Sequence, residues 1–285
     1  MMKAIRNILF STAASLSLLT AGNLTLPAET AIVPIQMEDP WNYEFQLYGL
    51  GFWIRGDSAI GYRLKKPGIE GSTPTADVDV APVDLFRNIE TGFMGHFEAY
   101  RNDGWGVWSD YIFMNLGPSA DLGSKILNID DLGLYQGILE LFATYRLPLK
   151  KGTIEYFGGI RWWHIALDMT MRAQLPGFGT GVTKQWERDV DWYDPVIGLK
   201  WTYPLGGKWL VRLRGDLGGF DIGTASRFTS SVEAGILYDI DSSWQVDMRF
   251  RSIWADYREG SEGEEDYFLY DTVSYGPVIG ITYRW

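Results

Sequence analysis

Residues 272–285 run Thr272-Val273-Ser274-Tyr275-Gly276-Pro277-Val278-Ile279-Gly280-Ile281-Thr282-Tyr283-Arg284-Trp285. Val273, Tyr275, Pro277, Ile279, Ile281, Tyr283 and Trp285 share one parity, and Thr272, Ser274, Gly276, Gly280, Thr282 and Arg284 the other. A period of two marks a strand, whose successive side chains point to opposite faces. One face suits lipid; the other suits a small, polar interior. The pattern recurs upstream. Trp244, Val246, Met248 and Phe250 oppose Gln245, Asp247, Arg249 and Arg251, and Trp209, Val211 and Leu213 alternate with Arg212, Arg214 and Asp216.

From Trp41 onward ten such runs are present, at about 43–55, 93–102, 105–116, 134–147, 153–166, 191–203, 208–220, 227–239, 244–257 and 272–285. Their connections alternate in length. The links after even-numbered runs are tight and built from turn residues, as in Asn102-Asp103-Gly104, Pro148 to Gly152, Pro204 to Gly207 and Ile240 to Ser243. The links after odd-numbered runs are longer: 56–92, 117–133, 167–190, 221–226 and 258–271. A soluble sandwich gives no reason for that alternation. An outer-membrane barrel does, with short periplasmic turns at one end and long external loops at the other. Aromatics near the run ends, including Tyr43, Trp105, Trp192, Tyr203, Trp209, Tyr238, Trp244, Trp254, Tyr257, Tyr283 and Trp285, fit two interfacial girdles. The expected fold is therefore all-β: a single up-and-down antiparallel transmembrane β-barrel over 41–285, of about ten strands within a range of 8–12.

Composition narrows the function. The chain has 285 residues, no cysteine, 33 glycines, and 25 basic against 36 acidic side chains. Its apolar and aromatic content excludes disorder. The acidic balance argues against nucleic acid as a partner. Lack of cysteine removes disulfides, thiol catalysis and an N-terminal lipid anchor. Residues 1–22 read as a secretory signal, with Lys3 and Arg6 before an apolar run from Ile8 to Leu19 and small residues at Thr20-Ala21-Gly22. Losing Lys3 and Arg6 takes the net charge from -11 to -13. Residues 23–40 form a polar, proline-punctuated periplasmic lead-in. The long first external link, 56–92, carries a short helix around Val83 to Ile89, with Asp84 as cap and Leu85, Phe86 and Ile89 buried, placed to plug the lumen or cover its mouth. The same link has room for another hairpin near Ala59 to Leu64.

The ending Gly280-Ile281-Thr282-Tyr283-Arg284-Trp285 resembles the last-strand signal read by the outer-membrane assembly machinery, with Gly280, Tyr283 and Trp285 at its marked positions and Trp in place of the usual terminal Phe. Phe93-Met94-Gly95-His96-Phe97-Glu98-Ala99, Arg214-Gly215-Asp216-Leu217-Gly218-Gly219-Phe220 and Tyr275-Gly276-Pro277 resemble an uncharacterised, porin-like group of Gram-negative outer-membrane β-barrel proteins. The resemblance covers most of 41–285. It implies fold, outer-membrane location and the assembly machinery as partner, and brings no activity.

Parity places Glu44, Glu98, Asp110, Glu140, Glu155, Asp216, Glu233 and Asp247 inside, with Arg146, Arg161, Lys200, Arg212, Arg214, Arg249, Arg251 and Arg284; His96 joins them beside Glu98. Balanced charges in a narrow barrel imply a cross-linked network. A barrel of about eight strands is filled by its own side chains, whereas open porins have 16 or more. The first expectation is a non-enzymatic barrel, structural or passing small solutes by a narrow path, in contact with outer-membrane lipid and lipopolysaccharide. A second is an outer-rim hydrolase of lipid or peptide using His164, with Asp168 and Ser226 or Ser231. A third is a secreted soluble sandwich or lipocalin-like binder. The acidic tract Glu259, Glu262, Glu264, Glu265 and Asp266 offers oxygens to divalent cations but lacks the spaced ligands and glycine of a calcium loop. Neither a metal nor a cofactor is expected from any motif.

Overall fold

The computed structural model describes residues 40–60, 75–117, 129–173, 182–262, 264 and 266–285. The expected signal segment, and the lead-in apart from Pro40, lie outside the described residues. Among the described residues, twelve strands and one helix follow in order: β1 (Trp41–Leu50), β2 (Trp53–Ile60), β3 (Thr75–Val80), α1 (Pro82–Asn88), β4 (Ile89–Arg101), β5 (Trp105–Leu116), β6 (Ile129–Pro148), β7 (Thr153–Ala173), β8 (Val182–Gly206), β9 (Trp209–Gly218), β10 (Phe228–Asp239), β11 (Trp244–Glu259) and β12 (Phe268–Arg284).

β1 and β4 through β12 pair each with the next, all antiparallel, and β12 returns to β1 with Glu44 opposite Arg284 and Leu50 opposite Val278. The result is a closed, up-and-down barrel of ten strands. At the tight turn between β4 and β5, at the end that the short-turn rule for outer-membrane barrels assigns to the periplasm, Gly104 N–H donates to Arg101 C=O at 3.0 Å, and Gly104 adopts φ +95. A side chain there would be strained and would meet Arg146 O at 2.5 Å.

The expected first run is broken in two. β1 pairs with the second half of β12 and β2 with its first half, Trp53 lying opposite Tyr275. Between them Gly51 N–H donates to Pro277 C=O at 3.0 Å. Pro277 has no N–H of its own, which suits an interruption of the ladder. A Cβ on Gly276 would stand 1.9 Å from Gly51 O, so the backbones approach where only glycine fits.

The 56–92 link differs from the expected loop. β3 pairs back on β2, with Val80 opposite Ile54, and the chain then passes through α1 to Ile89, opposite Leu116 at the outer end of β5. β4 meets β1 only from Gly95 to Arg101. The outer half of the wall thus holds β3 and α1 between β2 and β4, where the inner half has none. α1 lies at this seam, with Leu85 in the interior cluster and Val83 and Phe86 exposed. The expected burial of Phe86 and Ile89 is not observed; Phe86 is 64% exposed. Nor does Asp84 cap the helix: Ala81 occupies that position without a side-chain bond, and Asp84 sits in the first turn.

β7 and β8 stay paired from Thr153↔Thr202 to Ala173↔Val182, more than twice the roughly 10 residues a strand needs to cross a bilayer. Most of the expected loop at 167–190 is therefore ladder. The reason lies in an inversion of polarity. Near the periplasm, Glu155 and Lys200 point inward while Tyr156 and Leu199 point outward. Farther out, Trp163, Ile165, Val190 and Trp192 are buried inside, and Asp189 and Asp191 face outward. The wall leaves lipid, and its two faces exchange character.

The interior accordingly has two zones. The periplasmic half is polar, as parity indicated. The outer half, expected to be polar as well, is an apolar core including Ile112, Met114, Leu116, Ile138, Trp163 and Phe268. The exterior carries the complementary pattern. Met248 and Ile279 are each 64% exposed, within a band that includes Leu141, Ile197, Val232 and Phe250. Water would penalise such a surface and hydrocarbon favours it. Ring pairs border the band: Trp244 with Tyr283 and Trp209 with Tyr238 on the periplasmic side, and Trp53 with Tyr275 and Phe228 with Trp254 on the outer side.

Candidate functional site

The most densely built site is the lumen. At the periplasmic mouth Arg284 lies 2.9 Å from Asp239 and 3.5 Å from Glu44, and Gln245 donates to Asp239 at 2.7 Å. Farther in, Arg146 joins Glu98 and Glu155 at 3.0 and 2.8 Å, and Lys200 bridges the same two carboxylates. His96 sits between Glu98 and Asp110, at 2.9 and 3.1 Å. On the other side Arg249 binds Glu233 at 2.9 Å, Asp247, and the Gln46 amide oxygen at 2.8 Å, while Gln46 also donates to Asp247.

The middle of the barrel is crossed by a layer of three guanidinium and three carboxylate groups. Arg161 donates to Glu140 and Asp216, both at 2.8 Å, and to Thr229 at 3.0 Å. Arg214 reaches Glu140 at 2.9 Å and Asp216 at 3.0 Å, with its guanidinium 4.6 Å from the Trp108 ring centre. Arg251 reaches Asp110 at 3.2 Å and Glu140 at 3.3 Å. Tyr48 donates to Asp110 at 2.7 Å. Arg161–Glu140 and Arg214–Asp216 lie along the wall, on paired strands and on one strand, whereas Arg214–Glu140, Arg251–Asp110 and Arg251–Glu140 join strands that are not neighbours and so run across the lumen. Arg212 projects inward with them but has no carboxylate partner among the described residues.

Above this layer the lumen is closed again by aromatic rings. Trp163, Trp192 and Tyr257 stack in sequence, with centroids 5.5 and 4.1 Å apart and planes within 9°. Their polar edges are satisfied. Trp163 donates to Asp194 at 2.9 Å, Trp192 donates to Ser226 at 2.8 Å, and Ser226 donates to Asp194 from both its hydroxyl and its backbone N–H. Gln136 donates to Tyr270 at 3.0 Å beside the stack. Asp194 and Asp239 were absent from the lumenal set read from sequence. Parity with Lys200 would have placed Asp194, and parity with Glu233 would have placed Asp239.

His164 stands on the opposite surface. It projects outward from β7, beside Trp162, whose N–H donates to Asp191 at 2.8 Å. Ser226 and Ser231 are buried inside, so the wall separates them from His164. The side chain of Asp168 lies outside the described residues, as does Glu265 of the acidic tract. At the C-terminus, Tyr283 and Trp285 stack at 5.7 Å on the outer surface, and Gly280 faces the lumen against Gln46 and Asp247.

No protein-family model matches the chain, and no curated protein matches it. Solved structures do. The outer membrane protease OmpT from Escherichia coli aligns with a TM-score of 0.54 at 11% identity, covering 87% of this chain and 97% of that one. A Pseudomonas aeruginosa FadL homologue aligns at 0.37 and 9% identity, covering 87% and 90%. Ail, the attachment invasion locus protein of Yersinia pestis, aligns at 0.32 and 13%, covering 86% and 98%. The fold is that of the Gram-negative outer-membrane β-barrels.

Proposed function

We propose that this protein is a non-enzymatic, non-conducting barrel that serves the outer membrane as a structural element. The observation that carries the reading is the double closure of the lumen: the layer around Arg161, Arg214 and Arg251, and the ring stack of Trp163, Trp192 and Tyr257 above it. A selective pore concentrates one sign of charge at a hydrated constriction. Here opposite charges are spent on one another, and the outer half is packed with apolar side chains. The separation of His164 from the two lumenal serines favours this reading over the hydrolase. Lipid and lipopolysaccharide are the expected partners of the exterior, and the assembly machinery that of Gly280, Tyr283 and Trp285. The test is conductance. Protein that migrates in a heat-modifiable way on a gel, and is recovered from the outer-membrane fraction, should leave a planar bilayer silent. Discrete conductance steps would overturn the proposal.

A further inference from the structure

The outer wall carries a donor set that the lumenal reading does not use. His164 on β7 lies directly opposite Asp191 on β8, and Ala166 lies opposite Asp189, so the imidazole and two carboxylates share one patch of the exterior. His164 Nδ1 is 3.0 Å from Asp191 Oδ1 and 3.4 Å from Asp189 Oδ1. All three donor atoms lie within 4.8 Å of one another. With metal–ligand bonds of about 2.0–2.1 Å, two ligands on a tetrahedral ion stand about 3.3 Å apart. The two nitrogen–oxygen separations are therefore already those of a common coordination sphere.

Three features distinguish this set from an ordinary acidic patch. It contains a nitrogen donor, which favours transition ions over calcium or magnesium. Its members stand on two paired strands rather than on a loop, so their spacing is held by the ladder. The ring is also oriented: Trp162 stacks on it at 5.7 Å and Tyr135 meets it edge-on at 5.0 Å, which leaves Nδ1 aimed at the carboxylates. Trp162 holds Asp191 through its indole N–H, the outer-shell bond by which metal ligands are commonly fixed. Among the described residues no Lys or Arg pairs with either carboxylate.

We infer that His164, Asp189 and Asp191 form a binding site for a divalent transition ion on the external face of the barrel, with Trp162 as a positioning residue and the remaining coordination positions open to solvent. The inference is independent of whether the lumen conducts.

Zn2+ titration by calorimetry and Co2+ absorption spectroscopy test it on full-length protein refolded in detergent after metal stripping, with heat-modifiable migration confirming the fold of each variant. Wild type should bind one ion per chain, and Co2+ should give the visible bands of a site with nitrogen ligation. His164→Ala should weaken Zn2+ binding at least a hundredfold and abolish those bands, and His164→Asn should do the same if the alanine variant folds poorly. Asp191→Asn should weaken binding at least tenfold. Trp162→Phe keeps every ligand and should weaken binding 10- to 100-fold. Glu262→Gln, in the acidic tract, should change nothing. Unchanged affinity in both histidine variants, or equal binding of Ca2+ and Zn2+ that is insensitive to them, would overturn the site.

Discussion

Arg161 has no exposed surface, and its guanidinium is held by Glu140, Asp216 and Thr229. Replacing it with leucine leaves the central layer with two guanidiniums against three carboxylates, in a place water cannot readily reach. Removing one partner of a buried pair costs about 3–5 kcal/mol, chiefly because the other charge stays buried. Glu140 keeps Arg214 and Arg251, and Asp216 keeps Arg214, so the loss should fall near the lower end, about 3 kcal/mol. Glu140→Leu takes one carboxylate from three guanidiniums at once, leaving Arg161 and Arg214 to share Asp216 and Arg251 with Asp110, and should cost more, about 4–5 kcal/mol. The double variant should lose about 2 kcal/mol less than the two single losses together, since each single change leaves charges that the other would have removed. As a surface reference, the Arg55–Asp79 pair has side chains 55% and 65% exposed, and Arg55→Ala should cost under about 1 kcal/mol. The measurement is urea unfolding from lipid vesicles followed by tryptophan fluorescence. A loss below 1 kcal/mol for Arg161→Leu, or strict additivity with Glu140→Leu, would refute the view that the central layer acts as one network.

Other changes separate the zones. Trp192→Ala removes the middle ring of the stack and the donor to Ser226, and should cost about 3–5 kcal/mol by the same unfolding measurement. Ile279→Arg places a charge on the lipid-facing band and should cost about 2–4 kcal/mol, whereas Asp57→Arg, beyond the outer ring girdle, should stay within about 0.5 kcal/mol. Equal effects at the two positions would mean that the membrane band is misplaced. Gly276→Ala forces a Cβ against the Gly51 carbonyl and should cost about 1–3 kcal/mol with a lower refolding yield; a wild-type midpoint would show that the backbone there can yield.

The membrane-embedded half of the wall was legible because lipid outside and charge inside oppose each other at every second residue, as at Met248 against Asp247 and Arg249. Farther out the same strands run on into water, and the contrast reverses: His164 and Asp191 point outward while Trp163 and Trp192 point inward. Their continuation through 167–173 and 182–190, where the parity of the lower half no longer holds, looks like loop. The helix near Leu85 was visible as a local pattern, but its sequence could not say which of Leu85, Phe86 and Ile89 the neighbouring strands would cover.

The sequence by itself determined the barrel, its alternating short and long connections, and the parity of its charges, because these depend on a period of two and on turn chemistry, both local. The tertiary structure alone decided which charge meets which, since the partners of Arg251, Asp110 and Glu140, come from strands far apart in the chain. It also decided that β3 and α1 enter the wall, that aromatic rings close the outer lumen, and that Asp189 and Asp191 stand beside His164 rather than the serines. Each of these follows from register and closure, and a one-residue slip between β7 and β8 would send the two aspartates to the other face.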